Sequence, residues 1–283
     1  MPLVFVPTPL GNLRDVTLRA LDVLRECMLL VAEDSRVARK LLAALGLPGK
    51  TIWSYHEHNA RAATSGILQR ARTEIVAVVT DAGTPGISDP GSALVCAARA
   101  EGIAVEVLPG PSALVGAAVL SGFDLRRFLF EGFAPRTSGA RRDALRRSFA
   151  CGVPSIWYES PQRIRAMLAD VEAVEPAARV FLVREYTKHY EQQLFGTAAE
   201  VAAQLADPVR GEIVLVLSPV AAPARAPSET ELDEEIDALL AAGRSVSAVA
   251  KLLADRGLGE RRHIYARTAE RKRMRRDAFA SPR

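Results

Sequence analysis

Short apolar runs alternate with amphipathic stretches along the first 122 residues of this chain. LVFVP precedes TLRALDVLREC, and MLLVAE precedes SRVARKLLAAL; the run at 75–79, a helical stretch at 92–101, a strand at 104–108 and a helix at 113–121 continue the rhythm. Alternating strand and helix periodicity of this kind requires crossover connections, and therefore a largely parallel sheet covered by helices. A second set of elements begins at RFLFEGF and runs through SIWYE, RVFLVRE, EQQLFGT and GEIVLVLS, with helices expected at 137–150, 161–173 and 198–205. The expected organisation is an α/β protein: one α/β domain over 1–122, a second over 123–219, and a basic helical segment over 228–283. The Ala- and Pro-rich stretch at 219–228 reads as the linker before it.

Length agrees with that division, since 283 residues exceed what one ordinary core fills. Hydrophobic residues at 49% and charged residues at 25% permit a sizeable core and argue against a disordered chain. No run of about eighteen uncharged apolar residues is present, and residues 1–10 enter a Pro-broken strand without a basic leader, so the expected location is cytoplasmic. Cys27, Cys96 and Cys151 lie far apart with no Cys-x-x-Cys pair, which supports neither a disulfide framework nor a zinc site; packing as small hydrophobes is expected. The net charge is only +4, with the excess at the C-terminal end.

Three glycine- and proline-bearing loops follow strand patterns. They are PTPLGN at 7–12, DAGTPGISDPG at 81–91 and LPGPS at 108–112. The middle loop is longer than a short βα connection needs, and its glycines would let backbone approach a ligand at the carboxyl ends of the strands, where open α/β sheets bind ligands. Each loop taken singly has a plain turn explanation; three at one sheet edge suggest a small-molecule crevice. No G-x-G-x-x-G follows any strand, which disfavours a nicotinamide enzyme. Gly49-Lys50-Thr51 imitates the end of a phosphate-binding loop, but Ala44 stands at the first glycine position and the preceding segment is helical, so coincidence is the reading.

The strings VPTPLGN, AEDSR, YHEHN, TDAGTPGISDPG, LPGPSA, FEGFAPR and YESPQR occur in order from Leu3 to Leu217. In them the chain resembles the tetrapyrrole methylase superfamily, and within it the members that 2′-O-methylate a cytidine ribose of 16S ribosomal RNA. The resemblance implies two α/β domains of that type with a cleft between them, S-adenosylmethionine as methyl donor, 16S ribosomal RNA within the small subunit as partner, and a homodimer. It carries cofactor contacts onto Leu10, Gly83, Thr84, Ile87, Ser112 and Ala113, and from the second domain onto Tyr158 to Ser160, Glu212 and Ile213. Thr84 stands where many superfamily members have Asp.

A ribose hydroxyl is a poor nucleophile while protonated, so a base or a nearby charge should assist it. Asp34 follows the strand at 29–32 and is open to two readings, a site carboxylate or a cap for the helix at 36–45. The cluster Tyr55-His56-Glu57-His58-Asn59 suits stacking on a base and hydrogen bonding to a ribose or phosphate, with His56 the favoured contact; a third metal ligand is missing, so no metal is expected. Arg184, Glu185 and Lys188 end another apolar strand and form either a surface ion pair or a site, with Lys188 the candidate. Asp81 and Glu131 are further cleft candidates, expected to be structural. Arg141, Arg142, Arg146 and Arg147 on one helix, with the arginines of 260–276, form the expected phosphate-binding surface; the last ten residues read as a frayed end without RNA. Two other readings use the same features: methylation of a corrin or porphyrin precursor, against which the basic tail argues, and a ribosome-assembly binder without catalysis.

Overall fold

The computed structural model describes residues 2–56, 58–89, 91–218, 229–255 and 258–280, without the side chains of Glu231 and 275–280. Five short runs, β1 (Leu3–Phe5), β2 (Leu29–Ala32), β3 (Thr51–Ser54), β4 (Val76–Val79) and β5 (Val105–Val107), form an all-parallel sheet in the order β3-β2-β4-β1-β5. Helices α1 (Leu18–Glu26), α2 (Ser35–Ala44), α3 (Ala60–Ala71) and α4 (Gly91–Ala100) supply the crossovers. Both faces of the sheet are buried, and the alternation of side chains sorts them: Leu3, Phe5, Leu29, Val31, Val76 and Val78 pack to one side, Val4, Val6, Leu30, Ala32, Ala77 and Val79 to the other. Burial on two faces is why these runs are continuously apolar instead of alternating. β3 and α3 were absent from the sequence pattern because β3 is an edge strand whose residues are half-buried or exposed.

After α5 (Ala113–Ser121) the second sheet is built from β6 (Leu129–Phe133), β7 (Ser155–Glu159), β8 (Arg179–Arg184), β9 (Gln192–Gly196) and β10 (Ile213–Ser218), in the order β6-β7-β10-β8-β9. Only β6 and β7 run parallel; the other pairs are antiparallel. Helices α6 (Ser138–Ala150), α7 (Ile164–Val174) and α8 (Ala198–Gln204) cover one face, packing Leu145, Met167, Leu168 and Val201 on Trp157, Leu182 and Leu215. The other face is covered by α5, whose Ala117 and Ala118 pack with Ile156, Phe181, Val183, Val214 and Val216. Division of the chain at residue 122 assigns α5 to the first domain, but its buried face belongs to the second sheet. Small side chains at 117 and 118 allow that close approach.

Residues 1–220 cluster as one compact unit and 221–283 as another. The second consists of α9 (Glu229–Ala241), α10 (Val246–Asp255) and α11 (Arg261–Ala280), with Leu232, Ile236, Val249, Leu253 and Ile264 as its core. The expected linker at 219–228 lies outside the described residues. Helix α11 continues through much of the stretch expected to fray, and 281–283 also lie outside the described residues.

Candidate active site

The strand order explains how loops distant in sequence meet. β4, β1 and β5 are neighbours, so the loops after their carboxyl ends emerge side by side. Thr8 and Gly83 exchange two backbone hydrogen bonds, of 2.9 and 3.0 Å, joining the first loop to the second. Gly83 makes that bridge at a φ of 85°, a conformation side chains disfavour. The Thr84 hydroxyl donates to the Pro111 carbonyl at 2.9 Å, joining the second loop to the third. From the opposite sheet come the carboxyl end of β7 and the start of β10, paired antiparallel with Glu159 opposite Ile213.

These segments enclose a cavity of about 450 Å³, within the range of roughly 300–1,000 Å³ usual for small-molecule sites. Leu10, Gly83, Thr84, Ile87, Ser112, Ala113, Tyr158, Glu212 and Ile213 all line it. Thr80, Asp89, Phe133 and Gly211 line it too and were missed by sequence reasoning. The signal for Asp89 was present, since it sits inside the long middle loop; Phe133 is set by a register shift in β6 that no pattern announces. Phe130 and Phe133 each meet the Tyr158 ring edge-on, at 5.2 and 5.6 Å between centroids, and Phe133 stays 60% exposed at the cavity.

Among the described residues, the charged side chains lining the cavity are all carboxylates: Glu33, Asp81, Asp89, Glu159 and Glu212. Burial, chiefly, pushes Asp89 up to about 6, with the charges of Glu33 and Asp81 adding to the effect. Burial likewise raises Asp81, reinforced by Glu33 and Asp34. Burial and Asp89 raise the Tyr158 phenol. Glu159 accepts from the Ser160 amide and the Arg163 guanidinium through one oxygen, both at 2.7 Å, while its other oxygen is buried without a partner.

Asp34, His56 and Lys188 do not line the cavity; Asp34 and Lys188 bond residues that do, Asp81 and Glu212. Asp34 caps α2, accepting from the Arg36 amide at 2.7 Å and chelating the Arg36 guanidinium, and its own amide donates to Asp81 at 3.2 Å. Those bonds hold its carboxyl far below the ordinary range, which makes it a weak proton acceptor. His56 follows β3, fixed by its amide's bond to the Asn59 side chain at 2.8 Å, and its Nδ1 is buried without a partner. The neighbouring Tyr55 is 3% exposed and packs in the sheet core, so it cannot offer the expected stacking surface. Glu57 lies outside the described residues, as does Pro90 of the middle loop.

Lys188 joins the two halves. Its stem lies over Gly11, where an added Cβ would collide with it, and its Nζ bonds Glu185 and Glu212 at 3.0 Å each. Burial alone would lower this lysine, but the bonds to Glu212 and Glu185 outweigh it and the net shift is upward, so Lys188 is held as a cation, not as the depressed amine that a base would require. Among the other expectations, Glu131 is exposed on β6 and away from the cavity lining. Lys50 bonds the Cys27 carbonyl at 3.0 Å and that of Arg25, at the C-terminal end of α1, which accounts for it without any phosphate. Cys27 is buried, but Cys96 and Cys151 are exposed on helical surfaces instead of packed.

Of the expected basic face of α6, Arg141 is corrected, while Arg146 and Arg147 stay exposed. Arg141 is 4% exposed and bonds Asp170, which also takes Arg142 and the Ser138 hydroxyl; Arg146 pairs with Asp143. A charge buried beneath a helix cannot contact phosphate. In α11, Arg267 and Arg271 pair with Asp233 and Asp237 of α9, leaving Arg261, Arg262, Lys272 and Arg273 as exposed cations. Among the described residues no cluster of three or more His, Cys, Asp or Glu side chains is arranged to hold a metal.

Comparison with known proteins agrees with this architecture. A ribosomal RNA small subunit methyltransferase I from a Hydrogenobaculum species is 43% identical over 222 residues, 77% of this chain and 96% of that protein. The protein of the same name from Xylella fastidiosa is 40% identical over 265 residues, 92% of this chain and 96% of the relative. The crystal structure of uroporphyrin-III C-methyl transferase from Thermus thermophilus complexed with S-adenyl homocysteine shares the fold, with a TM-score of 0.55 at 20% identity over 77% of this chain and 97% of that one. With residues 2–202 also matching the family model for tetrapyrrole (corrin/porphyrin) methylases, the chain belongs to that family.

Proposed function

We propose that this chain transfers a methyl group from S-adenosylmethionine to the 2′-hydroxyl of a cytidine ribose in 16S ribosomal RNA. The observation that carries the reading is the single cavity in which three stapled loops of the parallel sheet face the strand ends of the second sheet. The names of relatives at about 40% identity supply the substrate class. The Thermus protein, crystallised with S-adenyl homocysteine, and the family match supply the donor class. A planar polycarboxylate would have to enter against five carboxylates, which disfavours a corrin or porphyrin substrate.

The cavity fits the donor in size and chemistry. When bound, S-adenosylmethionine supplies an electrophilic methyl on a sulfonium, and its thioether leaves neutral, so alignment supplies much of the acceleration. Leu10, Gly83, Thr84, Ile87, Ser112, Ala113, Tyr158, Glu212 and Ile213 would hold it, largely through backbone. Asp34, His56 and Lys188 are assigned to the substrate side. Lys188, as a cation, would favour the ribose oxyanion rather than remove its proton. The exposed cations of α11 would meet phosphates without reading sequence.

The substrate implies a cytoplasmic enzyme acting on ribosomal RNA within the small subunit; no helix among the described residues is long and apolar enough to cross a membrane. A homodimer is supported by α5, which is apolar on all sides and leaves Val115 and Val119 more than half exposed. Mass mapping of small-subunit RNA from a strain lacking the gene tests the assignment. Loss of one 2′-O-methylcytidine, restored by the intact gene, is expected; an unchanged RNA, or loss of a base methyl instead, refutes it.

A further inference from the structure

The carboxylates of the cavity are unevenly compensated. Glu212 is paired with Lys188, and Asp81 feels Arg36, although that guanidinium is exposed and chelated by Asp34. Glu33 and Asp89 have less. The single Thr80 hydroxyl proton is directed to Glu33 at 3.0 Å, so it is not available to Asp89, which is half-buried in the same lining. Across the cavity the side chain of Glu159 is fully buried, with Arg163 paired to one oxygen and the other oxygen lacking any partner. Negative charge held partly out of water without a cation is costly, and a cation brought into the cavity relieves the cost.

From this arrangement we infer that Asp89, Glu33 and the free oxygen of Glu159 act as a charge filter, retaining the cationic methyl donor and releasing its neutral product. The inference rests on the functional reading above. S-adenosylmethionine carries a sulfonium; when its methyl passes to an oxygen and that oxygen's proton leaves, the sulfur becomes a neutral thioether. Two ligands that differ by one methyl therefore differ by one full charge, and the lining discriminates between them by charge, with no steric contact to the methyl required. Among the described residues the same lining has no cation to hold a phosphate, so the RNA would present a ribose to this cavity and keep its phosphates outside.

Calorimetric titration of the full chain with S-adenosylmethionine, S-adenosylhomocysteine and sinefungin, whose ammonium stands in for the sulfonium, tests the filter without any turnover. The wild-type protein should bind both cations more tightly than the thioether. Asp89→Asn and Glu33→Gln, each retaining an acceptor oxygen, should each narrow that preference by about fivefold to tenfold, chiefly by weakening the cations. Glu131→Gln, which removes an equal charge from the exposed part of β6, should leave the ratio unchanged. Thermal melts confirm that the variants are folded, and should one of the two cleft variants fail to fold, the other decides. If wild type binds all three ligands and neither cleft variant alters the ratio, the filter is wrong while the cofactor reading stands. If wild type binds none of them, the cofactor reading falls and the filter with it.

Discussion

The two sheets contribute to one cavity in different ways. The parallel sheet offers glycine-bearing loops, stapled by Thr8, Gly83, Thr84 and Pro111, whose shape depends on main-chain geometry, and with them the carboxylates Glu33, Asp81 and Asp89. The mixed sheet offers side chains: Tyr158, Glu159 and Glu212 stand at the ends of paired strands with their positions fixed by ladder register and by Arg163 and Lys188. Loops that recognise through backbone tolerate exchange of many side chains. Charged groups set on rigid strand ends do not, because each must be matched by a partner. The second sheet should accordingly be the one whose polar substitutions are severe, and the first the one whose polar substitutions are mild.

The sharpest break between them is expected at Asp170, in the helical layer of the second sheet. It satisfies buried Arg141 together with Arg142 and Ser138. Asp170→Ala should lower unfolding stability by about 3–5 kcal/mol, because Arg141 is left as a buried charge without its partner; a loss below about 1 kcal/mol in chemical denaturation would show that the network is dispensable. Asp89 in the loop of the first sheet should behave in the opposite sense. Its proton affinity is raised in the folded state, so its stabilising contribution is complete below the ordinary aspartate range and is lost as pH rises through about 6. Asp89→Asn should then stabilise the protein at pH 8 by about 1.5 kcal/mol, allowing for the solvent that still reaches this half-buried carboxyl, and the gain should vanish near pH 4. A destabilised variant at pH 8 would mean that the charge has a partner in the folded protein. The smallest effect is expected at Thr84→Val, which removes one hydrogen bond to Pro111 and should cost about 1 kcal/mol. A cost comparable to that of Asp170→Ala would overturn the view that these loops tolerate side-chain change.

Much of the cavity wall was legible in the strings themselves. Leu10, Gly83 and Ser112 sit in loops whose composition marks them, while Tyr158 came only from the family resemblance, and the apolar runs that carry those loops are long enough to declare a doubly covered sheet. Less legible was anything that depends on partners. Arg141 looks like a phosphate ligand on a helical wheel and is a buried ion pair; Tyr55 looks like a stacking ring and is core; Lys188 looks like a possible base and is held as a cation. Each side chain was read with the correct chemistry and the wrong neighbour, since the neighbours lie about thirty positions away for Arg141 and twenty-four for the Lys188 contact with Glu212.

By itself the sequence determined the α/β grammar, the order of the elements and which loops emerge at strand carboxyl ends, because periodicity, turn chemistry and capping are local properties of a chain. Tertiary structure alone decided that β4, β1 and β5 are neighbours, that α5 covers the second sheet, and that Glu33 and Asp89 line one cavity. Electrostatic character belongs to that second group: a carboxylate's proton affinity is fixed by the burial and charges around it, and those are known only when distant segments have been brought together.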